Sequence, residues 1–301
     1  MIQALLLINR GSRAGEQNAA EVRDALRANG ASVVVRDADT PAHLHAALAA
    51  HAGSVDVVVV GGGDGTISMA AGALIQVAVP VAIVPLGTAN DLARTLMVPT
   101  DIAGACRNAI HGRSQPIDLG QCNDVYFVNV ASLGLPVRAS KYRSTAAKRW
   151  LGPLGYAGNV VTAYRQTEPF DVELVWDDHC KSMHTIQLVV GNGRHFGGGL
   201  AVARDAMPDD GALDIYSLAP QTPLGMLAKL PGLVRGPDQE LAGVSLFKAG
   251  AVRVRTSRPM AINTDGELLT ETPADFRVIP GALTIKVPDA YLEIATSGAQ
   301  S

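Results

Sequence analysis

The sequence predicts a protein of the α/β-plus-β class: a doubly wound α/β domain over residues 1–119, then a β-sandwich domain over residues 120–288. Three observations carry that expectation. Short apolar runs alternate with helical patterns through the first third of the chain. Around Gln115 the helical patterns thin out and strand-like runs succeed one another. A chain of 301 residues is also long for a single compact core.

In the first domain, Ala4–Ile8, Ser32–Val35, Val55–Val60 and Val81–Val84 are short, aliphatic and bounded by Gly, Asn or Pro. That is the texture of strands buried on both faces of a parallel sheet. Helical patterns at Glu16–Ala28 and Pro41–Ala50 separate them, the second opened by Thr40 as N-cap with Pro41 at the first helical position. Helices are expected again over Thr66–Ile75 and Asn90–Leu96, and Thr100-Asp101 caps one that runs to about Ile110. In the second domain, Ile117–Gln121, Val125–Ala131, Phe170–Trp176, Thr185–Val190, Leu213–Leu218, Val244–Phe247, Val252–Val254, Phe276–Ile279 and Leu283–Val287 read as strands. Asp177-Asp178 and Pro280-Gly281 read as turns between neighbours, and helices are confined to Ser140–Arg149, Gly155–Arg165 and Pro223–Leu233.

Composition removes several function classes. With 48% hydrophobic and 18% charged residues the chain is globular, not disordered. A formal net charge of −3 removes the bulk electrostatic case for a nucleic-acid partner. Cys106, Cys122 and Cys180 are odd in number and far apart, which argues against a disulfide framework or a zinc site and for a reducing, cytoplasmic setting. The first ten residues lack a basic n-region and a cleavage site, so they are expected to form a strand and not a signal peptide. Gly65–Asn90 carries no charge, yet Gly72, Pro80, Pro85 and Gly87 divide it into pieces too short to span a bilayer. No obligate protein partner is evident, and the seven histidines form no metal-ligand pair.

Four segments are candidates for chemistry. Gly61-Gly62-Gly63-Asp64-Gly65-Thr66 lies between a strand and a helix, where glycines let backbone N–H groups approach phosphate oxygens and the helix dipole adds positive potential. A tight turn into a helix is the alternative reading. Pro85-Leu86-Gly87-Thr88-Ala89-Asn90-Asp91 repeats the design after the next strand, with Asn90 or Asp91 also serving as a helix cap. Asp209-Asp210-Gly211 after Gly197-Gly198-Gly199 is either a turn or an oxygen site for Mg²⁺. Asn263-Thr264-Asp265-Gly266-Glu267 brings two carboxylates around a glycine, which is otherwise a solvated turn.

As an ordered set, Gly62–Ile67, Pro85–Asp91, Gly197–Gly199 with Pro208 and Asp210-Gly211, and Asp265–Glu267 resemble the diacylglycerol kinase catalytic family. The chain is similar to its soluble bacterial lipid kinase branch, related to sphingosine kinases and more distantly to NAD kinases. The likeness runs from the strand at Ala4 to Pro288. It implies a nucleotide-binding α/β domain, a β-sandwich domain and a cleft between them, with residues 289–301 returning to the first domain. It further implies that Gly62, Gly63, Asp64, Gly65, Thr66, Ile67 and Ser68 cradle the phosphates of ATP, and that Thr88 and Thr40 contact the nucleotide. Glu267 falls on the position of the general base, with Asp265 beside it. Asp210 falls on a Mg²⁺ position with the main-chain oxygens of Met207 and Ala212. Ser68 stands where an Asn is usual, and Arg10 where many relatives have Pro.

The expected activity is transfer of the γ-phosphate of ATP to a lipid hydroxyl, with diacylglycerol or a related glycerolipid as acceptor. The protein would then meet its substrate transiently, at the inner face of a membrane. Lys141-Tyr142-Arg143 through Trp150-Leu151 is a candidate interfacial helix, a solvated helix face being the alternative. The competing functions are NAD-kinase-like phosphotransfer to a soluble dinucleotide and non-catalytic binding of lipid or nucleotide.

Overall fold

The computed structural model describes residues 1–9, 13–51, 53–135, 167–197, 200–222, 225–226, 228–229, 232, 235–237 and 241–298. The chain divides into two compact units, the first made of residues 1–119, 207–211 and 279–301 and the second of 120–206 and 212–278.

The first unit begins with β1 (Ile2–Ile8), α1 (Arg13–Ala28), β2 (Ala31–Asp37), α2 (Pro41–His51), β3 (Val57–Gly62), α3 (Asp64–Leu74), β4 (Val81–Pro85), α4 (Asp91–Thr95) and α5 (Ile102–His111). The strands lie in the order β2-β1-β3-β4, all parallel, with Leu6 of β1 opposite Val35 on one side and Val59 on the other. α1 packs with α5 and α2 with α3, as right-handed crossovers running outward in both directions from β1 require. Leu5, Leu6, Leu7, Val58, Val59, Val60, Ala82 and Val84 are buried, which is why these runs carry no polar alternation. The strand order reverses between β1 and β3. The carboxyl ends of those two strands are therefore the topological switch point, the place where open α/β sheets bind ligands.

The remaining elements are β5 (Arg113–Cys122), β6 (Val125–Phe127), β7 (Val130–Gly134), β8 (Phe170–Trp176), β9 (His179–Thr185), β10 (Gln187–Gly191), β11 (His195–Phe196), β12 (Leu200–Ala201), β13 (Leu213–Leu218), β14 (Val244–Ala249), β15 (Ala251–Thr256), β16 (Ala261–Thr264), β17 (Glu267–Glu271), β18 (Ala274–Val287) and α6 (Asp289–Gly298). In the second unit one antiparallel sheet runs β14-β13-β10-β7-β16-β17. A second antiparallel layer pairs the Ala274–Arg277 end of β18 with β15, then β8, then β9. Leu133, Leu188, Val190 and Ile215 from the first layer meet Val172, Leu174, Val254 and Phe276 from the other in one buried core. This is a β-sandwich. At the far end of β18, Ile285 pairs in parallel with Val81, and α6 follows within the first unit with Tyr291 fully buried.

Several expectations are corrected. The Pro280-Gly281 turn does not form: β18 continues through it, with Gly281 at φ 58° and its N–H held by Asp118. Residues 279–287 and 207–211 group with the first unit. Val125–Ala131 is two strands, β6 and β7. β9, β16 and β17 were not foreseen as strands. β9 and β17 are sheet edges exposed along most of their length, so neither shows the apolar alternation by which a strand is recognised. Arg10, Gly198-Gly199, the segments Ser140–Arg149 and Gly155–Arg165, the Lys141–Leu151 stretch and most of Pro223–Leu233 lie outside the described residues. No helix among the described residues is long and apolar enough to cross a membrane.

Candidate active site

The glycine loop sits at the switch point of the first unit. β3 ends in Gly61-Gly62, and α3 starts at Asp64 with Gly63 as an N-cap that makes no side-chain capping bond. The Asn9 N–H, just beyond β1, donates to the Gly61 carbonyl at 3.2 Å, and its Nδ2 donates to Thr66 Oγ1 at 3.3 Å. Gly62 is glycine for a packing reason: a Cβ there would lie 2.5 Å from Thr66 Oγ1. Thr66 and Ile67 point their side chains inward, at 6% and 2% exposure. At Gly65, by contrast, a Cβ would meet nothing within 4 Å. What this loop presents outward is thus backbone at the start of α3, where the first N–H groups of a helix have no intrahelical partner. An uncapped helix N-terminus of this kind is a ready anion site.

The second loop is bound to the first. The carboxylate of Asp64 accepts the N–H groups of Asp91 and Leu92 at 3.0 and 2.9 Å, so it caps α4 from across the crevice. Asn90, in the left-handed region at φ 50°, closes its own loop by accepting the Gly87 N–H at 2.9 Å and donating to the Gly87 carbonyl at 3.0 Å. The two loops meet at their glycines: a Cβ on Gly87 would lie 2.5 Å from the Gly63 Cα. Thr88 stays exposed beside them, and Ser68 is half-buried on α3. Thr40 caps α2, its Oγ1 accepting the His43 N–H at 3.2 Å.

A further carboxylate organises the 207–211 segment. Asp118, 4% exposed on β5, accepts the N–H groups of Gly211 and Gly281, both at 2.8 Å, while its own N–H donates to the Pro208 carbonyl. Burial pushes the neighbouring Asp209 carboxyl above the usual carboxylate range. Hydrogen bonds from Tyr291 and Gln115 oppose that shift, and the charges of Asp118 and Asp210 add to it. Burial, with Asp209 behind it, likewise pushes the Tyr291 phenol well up. Asp118 was missed from the sequence; a lone acid in the otherwise uncharged run Ile117–Gln121 was the available signal. Met207 and Asp210 belong to the first unit and Ala212 to the second. Among the described residues no three His, Cys, Asp or Glu side chains are grouped to hold a metal ion. Asp210 is exposed.

In the second unit, Asp265 and Gly266 form the two-residue loop of the β16–β17 hairpin, with Thr264 opposite Glu267. Both central residues have positive φ, 49° and 105°, the type I′ geometry for which Asp-Gly is suited. The Gly266 N–H donates to Asn263 Oδ1 at 2.8 Å. The Asp265 carboxylate is gripped by the chain beside it: Val128 N–H donates to Oδ2 at 2.6 Å, and Asn129 and Val130 N–H groups donate to Oδ1 at 3.0 and 2.9 Å. Two carboxylates two residues apart thus have separate situations. Asp265 is a fastener for the hairpin, whereas Glu267 is exposed at the first position of β17. A cavity of about 680 Å³ elsewhere in this unit is lined by Trp176, His179, Lys181 and Phe247 and includes none of these residues.

Family models match both parts of the chain. The diacylglycerol kinase catalytic domain model matches residues 3–122, and the model of the YegS C-terminal NAD kinase beta sandwich-like domain matches residues 129–287. The "Probable lipid kinase YegS-like" of Pseudomonas aeruginosa strain PAO1 is 33% identical over 294 residues, which cover 94% of each chain. The protein of the same name from Klebsiella pneumoniae strain 342 is 30% identical over 292 residues, 95% of this chain and 96% of that one. Among solved structures, a diacylglycerol kinase from Bacillus anthracis strain Sterne superposes with a TM-score of 0.76 at 23% identity, covering 96% of this chain and 98% of that one.

Proposed function

Because the chain belongs to the diacylglycerol kinase catalytic family, in its YegS-like lipid kinase branch, we propose that it transfers the γ-phosphate of ATP to a primary hydroxyl of a membrane lipid, diacylglycerol or a related glycerolipid. The observation that carries this reading is the open N-terminus of α3. It lies at the switch point, has no side-chain cap, and is bordered by a second loop that Asp64 holds against it. Backbone N–H groups of Gly63, Asp64 and Gly65 would take the phosphates, and Thr88 and Thr40 would border the nucleotide.

Phosphoryl transfer needs alignment and charge neutralisation more than covalent chemistry from the protein. Glu267 is the group that would accept the proton of the lipid hydroxyl as it attacks, and Asp265 would position it by fixing the hairpin. Mg²⁺ enters this reading with the polyanionic nucleotide, with Asp210 and the main-chain oxygens of Met207 and Ala212 as its proposed protein ligands. The protein would work peripherally, at the inner face of a membrane.

The test is label transfer from γ-labelled ATP, with Mg²⁺, to a total bacterial lipid extract in micelles, for the wild type and Glu267→Gln. Label in a lipid product, reduced on the order of a hundred- to ten-thousand-fold in the variant while ATP still binds, is the expected result. Undiminished turnover in Glu267→Gln overturns the base assignment. Label only in a water-soluble product favours the NAD-kinase-like function, and ATP binding without transfer favours a non-catalytic regulator.

A further inference from the structure

We infer that Leu268 and Leu269 are the residues through which the second unit meets the lipid surface carrying its substrate, an inference that rests on the lipid kinase reading above. Large apolar side chains are exposed at few places among the described residues, and only here are two of them adjacent: Leu268 at 42% and Leu269 at 56%. They follow Glu267 directly on β17, the edge strand of its sheet.

Asn263 pairs with Leu268 and Ile262 with Thr270, so Leu269 is the extra residue of a β-bulge on β17, and the two leucines stand exposed side by side there. Glu267 precedes Leu269 by two residues, at most roughly 7 Å along the strand. The spacing is fixed from below, because the Asp265 carboxylate ties the turn to the 128–130 amides. An apolar surface entered by Leu269 would therefore lie within one strand repeat of the carboxylate proposed as base. That is the distance over which a hydroxyl at the head of an acyl glycerol must reach it.

The charge on this strand says which surface fits. Glu267-Leu268-Leu269-Thr270-Glu271 carries two acids and no base, so attraction to anionic headgroups has no source on β17. Docking here would come from apolar burial, which salt does not screen. The occupant is the uncharged or zwitterionic part of a lipid bilayer.

The experiment uses the full chain and phosphatidylcholine vesicles doped with diacylglycerol, with sedimentation measured at low and high salt without ATP and kinetics measured with it. Thr keeps strand propensity while removing the apolar ends, so the variant is the double change Leu268→Thr and Leu269→Thr. It is expected to need roughly tenfold more lipid, or above, for half-maximal binding, at both salt concentrations. Its apparent KM for vesicle-borne lipid should rise in parallel, with a much smaller change in kcat. Leu269→Trp should do the reverse: bind at lower lipid concentration and show a blue-shifted indole emission on doing so. Three results would overturn the inference: equal vesicle binding by wild type and double variant, binding that disappears at high salt, or a change of oligomeric state in the double variant showing that a second copy covers the pair. Wild type that binds vesicles through the leucines yet transfers no phosphate fails the kinase reading alone. Wild type that phosphorylates lipid without regard to them fails this inference alone.

Discussion

The glycine crevice of the first unit and the β16–β17 hairpin of the second solve one problem in two ways. Each has an Asp beside a glycine, and in each the carboxylate accepts backbone N–H groups from a distant stretch of chain. Asp64 takes two amides at the start of a helix and so joins two loops. Asp265 takes three amides of an extended segment and so sets the register of a turn. The difference is what each fastening leaves open. In the crevice the outward groups are main-chain N–H donors, suited to an anion. On the hairpin the outward group is Glu267, suited to a proton. The acids most conspicuous in a sequence motif can be the structural ones, while the reactive surface is whatever they hold in place.

Removing either fastener breaks the comparison most directly. Asp265→Ala leaves three amides of buried residues without their acceptor and should lower the unfolding free energy by about 3–6 kcal/mol, read by denaturant titration. Asp64→Ala strands two and should cost about 2–4 kcal/mol, with a weaker affinity for nucleotide because the Thr88 loop is no longer held. Pulse alkylation separates the two effects. Burial pushes the thiols of Cys106, in the first unit, and Cys122, in the second, up to about 12, so both stay neutral and protected near neutral pH, while Cys180 is exposed. Asp64→Ala should hasten labelling of Cys106, Asp265→Ala that of Cys122, and the reverse pattern would show that the fasteners do not act locally.

Smaller changes sharpen the contrast inside the crevice. Gly87→Ala places a methyl 2.5 Å from the Gly63 Cα and 2.6 Å from Asn90 Oδ1, forcing the loops apart at a cost of about 1–3 kcal/mol. Gly65→Ala meets nothing and replaces a glycine within the first turn of α3, so stability should hold or rise by up to about 1 kcal/mol. Its affinity for ATP should nonetheless fall, because the methyl projects where the phosphates are proposed to sit. Unchanged affinity measured by calorimetry would move the phosphate site away from α3.

Much of the fold was legible because burial on both faces leaves a loud signal. β1 from Ala4 onward, β3 and β4 carry no polar side chain, and Thr40-Pro41 and Asp101 mark helix starts where the structure has them. The edges were silent for the same reason: β9 reads His-Cys-Lys-Ser-Met-His-Thr, which no periodicity separates from a loop. Pro280-Gly281 misled because a glycine at positive φ serves a bent strand as well as a turn. For the candidate site, the motifs located Gly62–Ser68, Thr88 and Asp265–Glu267. They did not reveal which carboxylates are occupied by amides, because that depends on partners 27 to 137 positions away in the chain.

The return of the last strand and helix to the first unit has a consequence for how the chain is made. β4 emerges from the ribosome long before Ile285, the residue it pairs with, and before Tyr291, which completes the buried interior. At typical elongation rates the intervening stretch takes roughly 10–40 s to synthesise. Throughout that interval the flank of the nascent parallel sheet is bare, and by its end the whole sandwich has been translated and can close first. Birth order and assembly order are then inverted: the half that begins the polypeptide is the last to be finished. A premature stop anywhere before Ile285 would harm the glycine crevice although every residue lining it had already been made.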